Sequence, residues 1–284
     1  MMPALSTART ILITGCSSGI GNHCAHAMQQ RGWQVIATVR NEADQKRLQE
    51  AGLTALIMDY ADQSSIRLCA DNVLTLTNNK LDALFNNGAY GQVGAVEDLS
   101  TDALRAQFEA NFFGWHELTR LLIPSMRKNG SGRIVQCSSV LGFISMKYRG
   151  AYSASKFALE SLSDTMSMEL SGTGIHVSLI EPGPIASKFV DRTIETFEQT
   201  IDVENSPHVS VYKKRMARMK RGGANRFKLG PEAVQQRLVH AVESAKPRPR
   251  YYVTTPTYVM GFLKRVMSHR ALIRFLAKQA DRET

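Results

Sequence analysis

The sequence predicts an α/β fold in three layers. A doubly wound, seven-stranded parallel sheet is covered by helices on both faces and followed by a C-terminal lid and an amphipathic helix. Three observations predict it. Short, β-branched, apolar runs alternate with helical stretches from Thr10 to Pro182, the pattern of strand–helix–strand units in a sheet buried on both sides. A glycine-rich turn joins the first strand to the first helix. No internal repeat, second domain boundary or apolar run of membrane-spanning length interrupts the 284 residues.

The run Thr10 to Gly15 (TILITG) reads as a buried parallel strand. It leads into Gly15-Cys16-Ser17-Ser18-Gly19-Ile20-Gly21 and a helix to about Arg31. Glycines there let backbone approach a pyrophosphate, and the helix N-terminus offers unpaired N–H groups and a positive dipole end. The spacing is G-x-x-x-G-x-G, not the commoner G-x-G-x-x-G. Strand two, Gln34 to Val39, ends in Val39-Arg40. An NAD site carries a carboxylate there for the ribose 2′-hydroxyl, whereas a guanidinium suits a 2′-phosphate, so Arg40 points to NADP(H).

A charged helix from Ala43 to about Ala51 and the strand TALIMD bring Asp59 to a strand's C-terminal end, the edge where open α/β sheets bind ligands. Next come a helix from Ser64 to Thr77, a short strand running into Asn86-Asn87-Gly88-Ala89, and one long helix from Asp102 to Met126 with Asn111 inside it. Strand five, Arg133 to Cys137, ends in Ser138-Ser139. The following helix, Tyr152 to about Leu170, places Tyr152 and Lys156 on one face, four residues apart. A phenol ionises near pH 10, and a neighbouring ammonium draws that value down, so the pair can pass a proton to a carbonyl oxygen. Strand six, HVSLIEPG, is stopped by Pro182-Gly183-Pro184.

From Ile185 to Gly230 the chain shows no clear period and reads as a lid. Pro231 to Ser244 reads as a helix with Pro in its first turn, RYYVTTP as the last strand, and Tyr258 to Lys278 as a single cationic amphipathic helix. The whole is one domain. Residues 10–185 form the cofactor-binding and catalytic core, 186–230 the substrate lid, and 231–284 the C-terminal helix, last strand and tail helix.

The net charge of +10 is unevenly spread. Ser206 to Gly230 holds eight Lys and Arg and no acid, and the chain from Lys246 onward holds nine against Asp281 and Glu283. The first cluster lacks stacking aromatics at regular spacing and matches no nucleic-acid module, so it reads as solvated lid. The tail helix has two readings, packing on protein or lying on an anionic membrane, and packing is the favoured one. Cys16, Cys24, Cys69 and Cys137 show neither C-x-x-C nor metal-ligand spacing, which predicts free thiols and no metal site. The opening MMPALSTART has no apolar core of signal-peptide length, so a cytoplasmic protein is expected.

These parts together resemble the short-chain dehydrogenase/reductase superfamily. Thr14 to Gly21 matches its T-G-x-x-x-G-I-G motif and Tyr152-Ser153-Ala154-Ser155-Lys156 its Y-x-x-x-K motif, with Ser139 thirteen residues before the Tyr. Asn111 in EANFFGW and the segment EPGPIASKF match two further signatures. The resemblance implies a Rossmann fold, a homo-oligomer (dimer or tetramer), and hydride transfer between NADP(H) and a small-molecule carbonyl or alcohol. It implies a catalytic set of Asn111, Ser139, Tyr152 and Lys156. The cofactor would lie across Gly15, Ser17, Ser18, Gly19, Ile20 and Gly21, with Arg40 on the 2′-phosphate and Asp59 near the adenine. Asn86 would stand beside the ribose, where Lys156 holds the hydroxyls, and Pro182, Gly183, Ile185 and Ser187 near the nicotinamide. Asn111 would anchor a water that links Lys156 to solvent.

Within the superfamily, ASKFALE, VSLIEPGPI and the basic C-terminal region are most similar to 17β-hydroxysteroid dehydrogenases, retinol dehydrogenases and bacterial NADP-dependent aldehyde reductases. Tyr90, Phe143, Met146 and Phe189 indicate an apolar substrate pocket. A catalytically silent NADP(H)-binding regulator on the same fold is the alternative. Two departures stand out: the usual N-N-A-G reads Asn86-Asn87-Gly88-Ala89, and Ser187 replaces a Thr.

Overall fold

A computed structural model describes residues 8–222 and 227–281. Arg226, Arg282 and Glu283 of the charged stretches, and the opening segment 1–7, lie outside the described residues. Seven strands, β1 (Thr10–Ile13), β2 (Gln34–Val39), β3 (Thr54–Ile57), β4 (Ala83–Asn86), β5 (Gly132–Cys137), β6 (Ile175–Glu181) and β7 (Arg250–Tyr252), form one sheet. Every pairing is parallel and the order is β3-β2-β1-β4-β5-β6-β7. Leu12 on β1 is level with Ile36 on β2 and Leu84 on β4.

Because the chain winds outward from β1 first to one side and then, from β4, to the other, the order reverses between β1 and β4. A crevice opens there at the strands' C-terminal ends. Helices α1 (Gly19–Gln30), α2 (Glu42–Glu50), α3 (Gln63–Leu76), α4 (Thr101–Phe108), α5 (Gly114–Lys128), α6 (Gly150–Glu169) and α9 (Glu232–Glu243) cover the sheet. All residues of β1 and β4 are buried, as expected for strands covered on both faces.

Three expectations are corrected. The long helix from Asp102 to Met126 is two helices, α4 and α5, joined by a π turn over Glu109–Phe113 that contains Asn111. The aperiodic lid is largely helical, with α7 (Phe189–Thr200) and α8 (Val209–Lys220). Each is only 12 residues long, and the inward face of α8 rests on Tyr212 and Met216 amid Lys and Arg, which blurs its period. The tail is α10 (Thr255–Val266) and α11 (His269–Asp281), separated by an extended residue at Met267. Ser268 accepts from the Ala271 N–H at 3.4 Å, a capping signal that marks the second start. The inner face of α11, Leu272 and Leu276, packs on Leu141, Phe143 and Ile144 just beyond β5. No helix of the described residues is long and apolar enough to cross a membrane.

Candidate active site

The glycine turn sits over the crevice. Gly15 (φ +68°) and Gly19 (φ +59°) both adopt the left-handed region. A side chain at Gly15 would collide with the backbone of Gly88, and one at Gly19 would come within 2.9 Å of Ser187 Cβ. Asn87 ties the turn to β4, its Nδ2 donating to Thr14 O at 3.0 Å, while the buried Thr14 Oγ1 accepts from the N–H groups of Asn87 (2.8 Å) and Gly88 (3.1 Å). Neither Gly88 nor Ala89 takes a positive φ, so the exchanged pair costs nothing there. Gly88 instead provides the room that Gly15 needs.

Ser18 flanks α1 in extended geometry without a side-chain cap, which leaves first-turn N–H groups facing the crevice. Ile20 packs on the core behind the turn. At the rim Arg40 is exposed, with no ion pair among the described residues, whereas Val39 is buried. A second cation escaped sequence reading: Arg47 donates to Ser17 O at 2.7 Å and pairs with Asp44 at 2.8 Å. Asp59 closes a local turn at the end of β3, accepting from the Ala61 N–H at 2.9 Å.

Asn86 ends β4. It is fully buried: its Oδ1 accepts from the Tyr60 hydroxyl at 2.6 Å, and its Nδ2 donates to Thr119 and Gln136, each at 2.9 Å. The amide thus braces β4 against β5 and α5. The Asn111 amide is also engaged. Its Nδ2 donates to Tyr90 O at 2.8 Å and its Oδ1 accepts from Tyr90 N–H at 3.2 Å, so it fixes the Tyr90 loop.

Strand β5 and helix α6 bring Ser139, Tyr152 and Lys156 together. Ser139 caps a short 3₁₀ turn, its Oγ accepting from Leu141 N–H at 3.1 Å. Burial and the neighbouring Cys137 push the Tyr152 phenol above its ordinary range, while hydrogen bonding from Ser139 and the charge of Arg149 oppose that rise. The phenol is therefore raised, not drawn down as the four-residue spacing suggests. The reason is where Lys156 points. Its Nζ donates to Cys137 O at 2.8 Å and lies 4.0 Å from the centroid of the buried Trp115 ring, against 5.8 Å for the Tyr152 ring. Burial lowers the Lys156 ammonium from 10.5 to about 8.

Trp115 is itself held by donating Nε1–H to Gly88 O at 2.8 Å. Nothing in the motif spacing singles it out. Equally silent in sequence is the group beneath the site, where Arg250 of β7 bonds Glu160 of α6, Glu181 of β6 at 2.7 Å and Asp164 at 2.6 Å. Burial, then the charge of Glu160, raises the Glu181 carboxyl to about 8. This cluster clamps α6 to the strand end that carries Pro182 and Gly183. Pro182 O accepts from Val140 N–H at 2.9 Å, so the segment after β6 is also tied to the loop of Ser139. Ile185 bridges to Leu229, and Ser187 Oγ accepts from Phe189 N–H at 3.4 Å.

Of the pocket residues, Phe189 stands edge-on to Tyr152 with ring centroids 5.5 Å apart. Phe143 stacks on Tyr252, also at 5.5 Å, within an apolar cluster that includes Met146 and Tyr152. Gly91, next to Tyr90, abuts Phe189.

A doubly wound parallel sheet with this glycine turn and this Ser–Tyr–Lys arrangement defines a nicotinamide-dependent oxidoreductase acting on alcohol or carbonyl groups, and the chain belongs to the short-chain dehydrogenase family, whose model matches residues 9–198. It is 43% identical over 268 residues, 94% of each chain, to the uncharacterized oxidoreductase YbbO of Escherichia coli K12. It is 32% identical to human 17-beta-hydroxysteroid dehydrogenase type 1, over 87% of this chain and 78% of the human one. Among solved structures, a short-chain dehydrogenase from Streptomyces avermitilis superposes with a TM-score of 0.78 at 29% identity, covering 98% of both chains.

Proposed function

We propose that the protein reduces an apolar aldehyde or ketone with NADPH, the class of substrate spanning aliphatic aldehydes, retinal and steroid ketones. The observation that carries this is the placement of the Tyr152 phenol between Ser139 and the apolar groups Phe189, Phe143 and Met146. The cofactor fits: uncapped N–H groups of α1 and the positive-φ glycines suit a pyrophosphate, and Arg40 with Arg47 at the rim suits a 2′-phosphate. Asp59 stands at the adenine side, and Pro182, Gly183, Ile185 and Ser187 at the nicotinamide side. When bound, NADPH supplies the hydride.

The protein's residues then do the rest. Ser139 holds the carbonyl oxygen and Tyr152 donates the proton. The raised phenol pKa keeps that proton in place until negative charge develops on the oxygen. Lys156, with a pKa of about 8, is poised to exchange protons near neutral pH and to hold the ribose. Asn111 serves by fixing Tyr90 and, in the π turn, by its main chain. The test is NADPH oxidation followed by absorbance against medium-chain aldehydes, retinal and steroid ketones. Turnover of at least one apolar carbonyl compound is expected. Tight NADPH binding with no turnover across the panel would instead favour the silent regulator.

A further inference from the structure

The tail helices bury one face and leave the other open. Tyr258, Val259, Phe262 and Val266 recur at helical spacing along the outer face of α10 and are exposed, Phe262 by 62% and Val266 by 60%. Side chains this apolar and this exposed, in a single stripe, are uncommon on an unpartnered surface. Arg265 lies within the stripe, and the next helix continues with Arg270, Arg274 and Lys278 at successive four-residue steps, all exposed. None of these four cations has a carboxylate partner among the described residues, and no Asp or Glu occurs between Glu243 and Asp281.

We infer that this outer face docks on the surface of an anionic lipid bilayer. Charge decides the occupant. A second copy meeting the stripe across a twofold axis would set the same unpaired arginines against each other, which costs energy. An anionic headgroup layer satisfies the cations, and the acyl boundary accepts Phe262, Val266 and the ring of Tyr258, which is suited to an interface between water and lipid. The opposite faces of the same helices, with Leu263, Leu272 and Leu276, belong to the apolar cluster that includes Phe143, Met146 and Tyr152. Docking therefore sets the apolar wall of the catalytic pocket next to lipid, where apolar carbonyl compounds concentrate. Packing and membrane contact, alternatives for a single helix, thus become two faces of one helical pair.

The test is co-sedimentation of the full chain with phosphatidylcholine vesicles, with and without phosphatidylserine. Binding is expected only with phosphatidylserine and should weaken as salt rises. Each near-surface Lys or Arg contributes about fivefold, so R270Q/R274Q/K278Q should weaken binding by about 10²-fold. F262S/V266S should weaken it by at least about tenfold through lost insertion. Both variants alter only exposed side chains, so melting temperature and NADPH-linked turnover should match the wild type. Absence of wild-type binding, or equal binding to the two vesicle types, overturns the proposal. So does a concentration-dependent dimer that F262S/V266S abolishes, which would assign the stripe to a second copy.

Discussion

Replacing Trp115 by Leu tests whether the buried indole holds the charge of Lys156. The ammonium lies 4.0 Å from the ring centroid, out of water, with one further partner at Cys137 O. A desolvated cation–π contact is worth about 2 kcal/mol, all of it favouring the charged form. At 1.36 kcal/mol per unit, its loss should lower the Lys156 ionisation by about 1.5 units from its wild-type value of about 8. The high-pH limb of kcat/KM for NADPH reports this ionisation in the free enzyme and should move down by that amount. Trp115→Phe keeps a smaller π face and should shift it less. The substitution to Leu also removes the hydrogen bond to Gly88 O and leaves a void, so each variant must first be shown folded by circular dichroism. A folded Leu variant whose pH limb coincides with the wild type would show that the indole does not stabilise the ammonium.

Tyr152→Phe should retain NADPH binding, measured by fluorescence, and lose about 10²-fold or more in turnover; near-wild-type rates would remove Tyr152 as proton donor. The wild type should favour NADPH over NADH by at least about tenfold in kcat/KM at low salt, and Arg40→Ala should erase most of that preference. Equal use of both cofactors by the wild type would mean that Arg40 does not meet the 2′-phosphate. Arg250→Met strands Glu160 and Glu181 without their cation and should cost about 3–5 kcal/mol, on the order of 10 °C in Tm. Glu181 binds its proton more tightly in the fold, so stability falls as pH rises from 4.5 through about 8. Glu181→Gln should remove that fall, and identical Tm profiles over this range would contradict the buried carboxyl.

The seven strands in their order, the glycine turn and the Tyr152–Lys156 pair were readable from sequence, whereas the lid helices α7 and α8 and the breaks between α4 and α5 and between α10 and α11 were not. Each readable feature rests on local physics: β-branched apolar runs, glycines where backbone must turn left-handed or pass close, and helical spacing that places two side chains on one face. Tertiary structure alone decided where those side chains point. Lys156 turns to Cys137 O and Trp115 because α5 delivers an indole from 41 positions upstream, and the fold then buries the ammonium. Asn86 and Asn111 lie where the motifs place them, yet their amides serve the scaffold, because buried amides must find partners and the core supplied them first. Glu160, Glu181 and Arg250 share no local pattern, since only adjacent parallel strands and the helix over them bring these residues together. Likewise the tail's amphipathic period announces an apolar face but not which residues it buries. The break at Met267 and the packing of Leu272 and Leu276 settle that, and leave Phe262 and Val266 facing outward.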